Sequence, residues 1–523
     1  MAQQPDIHAA RQHSLGDIPR RSAARHPNRI AIIDGDTRLT FAEFEACVER
    51  TARAIAAAGI GTGERVALLS HNCWQFAVLA FATARRGVVL VPINFMLGAT
   101  EIAYLLDDSG AVAFVAEDGL AATADAACTG TIRQRLSIAL GTGTPPAAWA
   151  DLRVWTDYAG PSAEPVPVED DDPIRLMYTS GTESRPKGAI HTSRSLMWQY
   201  VSCALDGGMS GTDIEVHALP LYHCAQLDCF LSVDLYLGAT SVILRGPDPA
   251  AILDAIATHR ATKFFSPPTV WISLLRAPDF ADTDLSSLVK GYYGASPMPI
   301  EVLRELSARL PDIRLWNFYG QTELAPLATI LQPEEQHTHA GSAGRPSLNV
   351  DTRVVDEFDE PVPAGTVGEI VHRSPHATAG YFGKPEITAR AFAGGWFHSG
   401  DLGVFDEDGY LTVVDRKKDM IKSGGENVAS REVEEALYQL DGVAEVAVFG
   451  VAHPHWIEAV TAVVVPKAGA TVTDADVTAF ARTVLAGYKR PKYVVVTDAL
   501  PKNPSGKILK RDLRERYRDI AQD

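Results

Sequence analysis

The sequence predicts a large layered α/β N-terminal domain of several subdomains, completed by a small β-rich unit and followed by a small α+β C-terminal domain. Short apolar runs alternate with helical patterns over most of the chain, which is typical of parallel strands covered by helices. From Val350 the pattern changes to short alternating strands separated by turns, as at 406–409. The charged turn DRKKD at 415–419 precedes a last compact block. We therefore divide the chain into residues 1–417 and 418–523.

The first predicted unit is a βαβ segment over 37–95. Thr40 and Glu43 form the T-x-x-E pattern of a capping box, and apolar residues from Phe44 onward then recur at helical spacing. The apolar runs 66–69 and 88–92 have the length and composition of buried parallel strands. This unit predicts a sheet with helices packed on it.

Further elements follow in the same way. Strands are predicted at 174–178, 241–244 and 263–266, whereas the Ala-, Gly- and Pro-rich stretch 121–167 is interpreted as connecting segments. The C-terminal block contains predicted helices and strands in mixed order: helices at 431–440 and 474–486, strands at 443–449, 459–465 and 493–497. No internal repeat is evident.

Composition excludes several classes of protein. The chain has 523 residues, of which 46% are hydrophobic and 22% charged, so it can bury a large core and is not intrinsically disordered. Its net charge of −17 disfavours nucleic acid and anionic lipid as partners. No apolar run approaches the roughly 18 residues of a membrane-spanning helix, and the N-terminus lacks a secretory pattern. We expect a cytoplasmic protein with its six cysteines reduced.

The segment YTSGTESRPKGAIHT at 178–192 is the strongest chemical signal. A strand ends in Thr, Ser and Gly, and Lys187 follows a few residues later. Small residues let backbone N–H groups approach an anion, hydroxyls add donors, and a lysine adds positive charge. Lys187 precedes its glycine, so this is not a GxxxxGK[ST] loop. The segment predicts a phosphate site, and taken alone it also fits a polar surface loop.

Other segments give this signal its context. They are PLYH (220–223), YYGASPMP (292–299), NFYGQTE (317–323), GSAGRP (341–346), GYFGKPEIT (380–388), WFHSGDLG (396–403), DRKKDMIKSGGENV (415–428) and LPKNPSGKILKRDLR (500–514). In this order they resemble the acyl-adenylate-forming superfamily, over about residues 15–515. SGGENV together with NPSGK is most similar to the acyl-CoA synthetase branch, the CoA ligases of fatty and aryl acids.

The resemblance implies an ATP-dependent acid:CoA ligase. A carboxylate attacks the α-phosphate of ATP to give acyl-AMP and pyrophosphate, and the thiol of coenzyme A then displaces AMP. Both steps bring anions together, so the implied cofactors and substrates are ATP, Mg²⁺, coenzyme A and a small carboxylic acid, fatty (medium- or long-chain) or aryl. Nucleic acid and integral membrane association are not implied. A homodimer is suggested by the resemblance alone.

The resemblance also assigns the phosphate and metal contacts. It implies that the 178–192 loop binds the β- and γ-phosphates, through Thr179, Ser180, Gly181, Thr182 and Lys187. Thr182 and Glu323 match the positions that meet Mg²⁺. Taken alone, Glu323 would rather be interpreted as a residue that caps a helix N-terminus.

For the nucleoside, the resemblance implies an adenine site, a ribose site and an α-phosphate contact. Tyr319 is the ring for adenine, Asp401 accepts from the ribose hydroxyls, and Thr322 touches the α-phosphate. The complete implied set for ATP or AMP adds Gly294, Ala295, Ser296, Asn317, Gly320 and Arg416.

The remaining implied roles belong to the reacting groups and the C-terminal domain. Lys507 would bridge the carboxylate and the α-phosphate, and His223 would lie beside the nascent acyl-phosphate. Coenzyme A would thread a tunnel at Gly424 and Gly425 and meet Lys489 with its phosphates, and Lys418 would be the hinge of a mobile domain. Two alternatives stay open: His223 could have only a structural role, and Lys489 and Arg490 could form an exposed basic turn.

The sequence departs from the superfamily pattern at several positions. Glu183 and Ser184 replace the usual Thr and Gly, and an acid there repels a triphosphate unless a cation intervenes. Ser430 replaces a common proline and is expected to cap a helix. Four polar side chains would make the acyl pocket less apolar unless strands and turns hide them: Gln226, Asp228, Tyr292 and Tyr293.

Two alternatives remain at this point. The same adenylation chemistry also serves enzymes that pass the acyl group to a carrier protein, an amine or another nitrogen nucleophile. A non-enzymatic alternative is a sensor of acyl nucleotides on the same scaffold, which the retention of Lys187, Glu323, Asp401 and Lys507 disfavours.

Overall fold

The strands of the large domain build two extended sheets. A computed structural model describes residues 7–179, 185–296, 298–417, 419–423, 426–503 and 506–521, and within these ranges the strands form four sheets. The first sheet has seven strands, parallel except for the last hairpin. In spatial order they are Ala150–Asp151, Gln134–Ile138, Ala113–Glu117, Arg65–Leu69, Val89–Ile93, Pro173–Thr179 and Lys187–Thr192.

The second sheet has nine strands, with six parallel strands in its centre. In spatial order these are Arg345–Pro346, Leu327–Leu331, Arg314–Gly320, Lys290–Gly294, Lys263–Phe265, Ile214–His217, Thr240–Ile243, Ile30–Asp34 and Thr37–Thr40. The carboxyl ends of parallel strands meet at one edge of a sheet, which is where ligand sites of α/β proteins form.

The two large sheets share one hydrophobic core. The helix Trp74–Arg85 is buried on every side from Phe76 to Ala84, because nearly all of its residues are apolar. The same core continues through both sheets. An all-round apolar helix is stable only inside a large core, so this helix fixes the sheets relative to each other.

Two smaller sheets complete the chain. A four-stranded antiparallel sheet follows Val350 as predicted, with strands Asp351–Val355, Gly368–Arg373, Phe397–Phe405 and Leu411–Arg416. The C-terminal block has five strands: Glu426–Val428, Ile421–Ser423, Ile457–Pro466, Val443–His453 and Tyr493–Val496. The predicted layered α/β domain with a β-rich unit and an α+β C-terminal domain is therefore confirmed.

The helices pack on these sheets. Their bounds are Ile7–Arg11, Ile18–Arg25, Phe41–Ala57, Trp74–Arg85, Ala99–Ser109, Ala121–Ala127, Arg153–Thr156, Ser193–Asp206, Ser232–Leu237, Pro249–His259, Pro268–Arg276, Ile300–Arg309, Pro385–Ala391, Ser430–Tyr438, Asp474–Val484 and Lys510–Arg516, with a π-helix over Ala225–Leu231. Among the described residues, a helix with the length and apolarity needed to cross a bilayer was not found.

Several local predictions can be compared directly with the structure. The Thr40–Glu43 capping box is present at the start of Phe41–Ala57. The stretch 121–167 was interpreted as connecting segments, but it contains the strand Gln134–Ile138. The polar residues of this strand interrupt the apolar pattern by which strands are predicted. Ser430 does not cap a helix: Ala429 is the N-cap, and the Ser430 hydroxyl accepts a hydrogen bond from Lys510 Nζ at 2.7 Å.

A buried ion cluster joins the centre of the nine-stranded sheet to the helix Ser232–Leu237. The Lys263 ammonium contacts Asp234 and lies 2.8 Å from Glu215 Oε2, and His217 Nε2 lies 3.3 Å from Asp234 Oδ2. All four side chains are fully buried. Their carboxylates and imidazole converge as metal ligands do, but the Lys263 ammonium already supplies the positive charge, which makes this a structural cluster.

Three histidines are held neutral in the core. Burial lowers the pKa of His191 and His376 to about 4 and that of His372 to about 3. In the unfolded chain the same groups titrate near 6.5. Unfolding therefore takes up protons below that pH, so the stability they support is complete above about pH 6.5 and falls as the pH decreases towards 4.

We predict that His372→Asn flattens this pH dependence. Acidification from pH 7.5 to 5.5 should destabilise the wild type by about 1 kcal/mol for each such histidine, and the variant should be spared one of these increments. Denaturant unfolding at both pH values measures the difference. His337 is exposed, so His337→Asn serves as the control. An unchanged pH dependence of the free energy of unfolding in His372→Asn would contradict the assignment.

Candidate active site

A cavity of about 890 Å³ opens where the two large sheets, the four-stranded sheet and the C-terminal domain meet. Strand ends provide its wall: Thr179 ends a strand of the first sheet, and Tyr319 and Gly320 end a strand of the second. Predicted site residues on this wall are Thr179, Lys187, His223, Ala295, Tyr319, Gly320, Thr322, Glu323, Arg416 and Lys507. Segments far apart in sequence are thus brought to one place.

Some predicted site residues lie elsewhere. Gly294, Ser296 and Asn317 are not among the described residues that line the cavity, and the Asn317 amide donates to the Ser342 carbonyl at 2.9 Å. Lys489 pairs with Glu432 on the surface of the C-terminal domain, which raises the pKa of that lysine. Outside the described residues lie Ser180, Gly181, Thr182, Lys418, Gly424 and Gly425.

A short 3₁₀ helix, Thr322–Leu324, carries two of the predicted residues and is held from several sides. The His191 imidazole contacts the Thr322 carbonyl at 2.8 Å, and the Thr378 N–H donates to the Glu323 carbonyl at 2.7 Å. The Thr322 hydroxyl lies 3.3 Å from Cys224 Sγ. Because burial raises the pKa of Cys224 to about 12, this sulfur is a neutral thiol.

The Glu323 carboxylate and the Lys187 ammonium share a neighbour, Tyr381. The Tyr381 hydroxyl donates to Glu323 Oε1 at 2.7 Å, and Lys187 Nζ lies 4.7 Å from the centre of the Tyr381 ring. Tyr381, His191 and Cys224 were not identified from the sequence, although each lies in or beside a quoted segment. Hydrogen bonding to a neighbouring segment was the missing information.

The predicted site residue Asp401 is buried and does not itself line the cavity, but it contacts two residues that do. Asp401 and Arg416 are direct partners on adjacent antiparallel strands, and Arg416 Nε lies 3.2 Å from Asp401 Oδ1. The Tyr319 hydroxyl donates to Asp401 Oδ2 at 2.8 Å. Burial and the Asp401 charge raise the pKa of Tyr319, which keeps its phenol protonated as a donor. Gly320 packs so closely on the Pro326 carbonyl that a Cβ would collide with it.

Lys507 enters the cavity from the C-terminal domain and faces His223. Its loop is docked by a hydrogen bond of 3.0 Å from the Thr269 hydroxyl to the Gly506 carbonyl. Burial and the Lys507 charge lower the pKa of His223 to about 4. The Ala225 N–H donates to His223 Nδ1 at 3.1 Å, which assigns the ring proton to Nε2. His223 is therefore a neutral imidazole with a donor available at Nε2.

The inner end of the cavity is aromatic and apolar. The π-helix Ala225–Leu231 presents Cys229 and Phe230 to the cavity, and Phe230 stacks on Phe265 with ring centres 4.2 Å apart. Phe318 stacks on Phe230 from another side at 5.7 Å. π-helical turns are uncommon and often occur at functional sites. Here the wide turn brings both side chains to the same wall.

Of the two alternatives for the four polar residues, the structure favours the one in which they are hidden, because none of them lines the cavity. Asp228 forms an ion pair with Arg175, and the Gln226 amide contacts His217 Nδ1 at 2.7 Å. The hydroxyls of Tyr292 and Tyr293 donate to protein oxygens at 2.7 Å. The polar atoms of these four residues bond to protein groups outside the cavity lining and so hold the apolar wall in place.

Comparison with known proteins identifies the class. The AMP-binding enzyme family matches residues 19–382, and the AMP-binding enzyme C-terminal domain matches residues 432–507. The chain therefore belongs to the AMP-binding enzymes, in the acyl-CoA synthetase branch of the acyl-adenylate-forming superfamily. It is an AMP-forming acyl-CoA synthetase, which makes acyl-AMP from ATP and an acid and then a thioester with coenzyme A.

Individual relatives agree with this membership. A feruloyl-CoA synthase from Amycolatopsis sp. is 39% identical over 97% of this chain and 100% of its own length. A long-chain-fatty-acid–CoA ligase from Mycobacterium tuberculosis is 34% identical, covering 96% and 98%. The crystal structure of ATP-bound MatB from Rhodopseudomonas palustris is similar with a TM-score of 0.86 and 30% identity, covering 97% of this chain and 99% of that one.

Proposed function

We propose that this enzyme ligates a compact aromatic carboxylic acid to coenzyme A, using ATP and Mg²⁺. The observation that carries the proposal is a single cavity with cations and nucleotide-binding groups at one end and a phenylalanine wall at the other. A charged end suits a triphosphate, and an apolar end suits the body of the acid. The cavity volume of about 890 Å³ lies within the range of sites for small molecules.

At the nucleoside end, we assign adenine to the face of Tyr319 and the ribose hydroxyls to Asp401. The Tyr319 and Arg416 contacts to Asp401 support this role, because they hold its carboxylate in place before the nucleotide arrives. A carboxylate is the natural acceptor for two neighbouring hydroxyls. Thr322 is assigned to the α-phosphate.

At the triphosphate, we assign Lys187 and Thr179 to the β- and γ-phosphates, with Ser180, Gly181 and Thr182 completing the loop. Glu323 and Thr182 are assigned to Mg²⁺. Glu323 fits this role because its carboxylate lines the cavity, and Mg²⁺ prefers oxygen ligands. When bound, Mg²⁺ would offset the charge of the phosphates.

At the reacting centre, Lys507 would bridge the carboxylate and the α-phosphate during the first step. The neutral state of His223 supports a complementary role, because Nε2–H donates a hydrogen bond to the acid without adding a second positive charge beside Lys507. Two positioned donors then hold the carboxylate and the α-phosphate close together. They offset the repulsion between these two anions, which is the main barrier of this step.

The second step requires the C-terminal domain to move. The Thr269–Gly506 contact docks Lys507 in the cavity. Gly424 and Gly425, assigned to the thiol path, belong to the same small domain, and one docked pose would have to present both them and Lys507 to the same acyl carbon. We therefore propose a rotation about Lys418, between the strands Leu411–Arg416 and Ile421–Ser423. Gly424 and Gly425 would then line the path of the thiol, and Lys489 would meet the phosphates of coenzyme A.

The aromatic acid is favoured over a long-chain fatty acid by the stack of Phe230, Phe265 and Phe318. Planar rings pack against such a wall by stacking and edge contacts. The feruloyl-CoA synthase from Amycolatopsis sp. is also more similar in sequence, at 39%, than the long-chain ligase at 34%. We propose substituted cinnamic or benzoic acids as substrates.

The test is a panel of acids assayed with and without coenzyme A, by pyrophosphate release and by thioester formation. Ferulic, cinnamic and benzoic acids should turn over at least tenfold better than palmitic acid. Phe265→Ala should reduce this ratio by opening the wall, whereas Phe280→Ala, a buried phenylalanine outside this cavity, should not. Preference for palmitic acid would contradict the acid class, and pyrophosphate release without thioester would contradict coenzyme A as the acceptor.

Lys507→Ala should separate the two half-reactions. Loss of the cation between two anions should slow acyl-AMP formation at least a hundredfold. Thioester formation from synthetic acyl-AMP should stay within about threefold, because the bond that Lys507 helps to form already exists. Lys467→Ala, a lysine of the same domain outside the cavity, is the control. Equal loss of both half-reactions in single-turnover assays would refute the role.

A further inference from the structure

Tyr381 lies between the two charged groups assigned to the triphosphate and its metal. Its side chain is only 7% exposed and lines the cavity. Lys187 Nζ sits over the ring face, 4.7 Å from its centre, and the hydroxyl at the ring edge donates to Glu323 Oε1 at 2.7 Å. One side chain thus contacts both the cation and the anion.

The chemistry of the phenol suits both contacts. A ring face attracts an ammonium through its quadrupole. The phenol hydroxyl has one proton to donate and gives it to the Glu323 carboxylate, which can only accept. The contact with Lys187 is weaker than an ion pair, which leaves that ammonium able to turn towards a phosphate.

The backbone fixes Tyr381 relative to Lys187. Tyr381 forms an antiparallel bridge with Ala189, and the Phe382 N–H donates to the Gly188 carbonyl at 2.9 Å. The segment around Tyr381 therefore adds to the strand Lys187–Thr192. The neighbouring Thr378 N–H also holds the Glu323 carbonyl at 2.7 Å. The ring position is set by the same backbone that carries both charged residues.

Opposite charges facing one cavity create a difficulty. A direct ion pair between Lys187 and Glu323 would satisfy both groups and withdraw both from the substrate, since the attraction between opposite charges increases as the surrounding dielectric falls. Among the ion pairs of the described residues, these two side chains are not joined. Both contact Tyr381 instead, the ammonium at the ring face and the carboxylate at the hydroxyl.

We propose that Tyr381 is a positioning residue that keeps Lys187 and Glu323 apart and oriented, Lys187 for the β- and γ-phosphates and Glu323 for Mg²⁺. This inference rests on the roles proposed above for those two residues and adds the group that keeps them available. It predicts that loss of the ring lets the two charges collapse onto each other. ATP would then bind more weakly because contacts to its β- and γ-phosphates are lost, whereas contacts to the AMP part would stay.

The chain offers a matched control in Tyr410. Its hydroxyl donates to Glu335 Oε1 at 2.7 Å, and the Arg345 guanidinium lies over its ring, 4.2 Å from the centre. Tyr410 is 5% exposed and does not line the cavity. The same cation, ring and carboxylate arrangement therefore occurs away from the site, and its removal should cost similar stability.

The first measurement compares equilibrium binding of ATP with Mg²⁺ and of AMP to the whole enzyme. Tyr381→Leu should weaken ATP binding at least tenfold and leave AMP binding within twofold, because AMP lacks the outer phosphates. Tyr410→Leu should change neither. If Tyr381→Leu weakens ATP and AMP equally, or weakens neither, the proposal is wrong.

The second measurement isolates the hydroxyl and does not depend on the folding of the leucine variant. Tyr381→Phe keeps the ring between the charges and removes only the donor to Glu323. The Mg²⁺ concentration that half-maximally promotes ATP binding should rise at least threefold, with AMP binding unchanged, and Tyr410→Phe should match the wild type. An unaltered Mg²⁺ requirement in Tyr381→Phe would overturn the Glu323 part of the proposal.

A double-mutant cycle separates this inference from the roles on which it rests. In a Lys187→Ala background, Tyr381→Leu should change the ratio of ATP to AMP affinity several-fold less than it does in the wild type, because the part of its effect that acts through that lysine is already absent. Additive losses would overturn the proposal. If Lys187→Ala itself leaves ATP affinity unchanged, the assigned phosphate role fails first, and that result is distinct from a failure of Tyr381 alone.

Discussion

The reaction brings a carboxylate and a triphosphate together in a chain whose net charge is −17. Repulsion between these anions is the constraint that the site must overcome, and it does so with a local excess of positive charge. Lys187, Arg416 and Lys507 line the cavity and come from three different parts of the fold. Arg416 pairs with the Asp401 carboxylate, and the Lys187 ammonium lies over the Tyr381 ring.

The layered fold makes this convergence possible. Strands of both large sheets end at the cavity, so loops separated by more than a hundred residues in sequence become neighbours. The shared core around Trp74–Arg85 keeps the two sheets in register with each other. The acyl end depends on the same principle, because the π-helix is anchored from behind by Asp228 and Gln226. The proposed roles therefore place the nucleotide and the acid on these packed parts of the fold and assign movement to the C-terminal domain.

Sequence reasoning was most successful where local pattern determines structure. Strand and helix periodicity gave the architecture, and ordered motifs located Lys187, Glu323, Asp401 and Lys507 before the structure was known. It failed where a side chain's direction decides its role. Asp228 could have faced the acyl pocket, but it forms an ion pair with Arg175, a buried residue of a distant strand. Tyr381 was overlooked for a related reason, since its importance follows from contacts with two other segments.

The central claim is that the acid is activated as an acyl-adenylate, and isotope transfer tests it most directly. An aromatic acid labelled with ¹⁸O in its carboxylate is converted with ATP, Mg²⁺ and coenzyme A, and the products are analysed by mass spectrometry. Attack of the carboxylate on the α-phosphate predicts that each AMP formed carries one ¹⁸O atom, while pyrophosphate carries none. Unlabelled AMP, or label appearing in pyrophosphate or inorganic phosphate, would contradict the acyl-adenylate route.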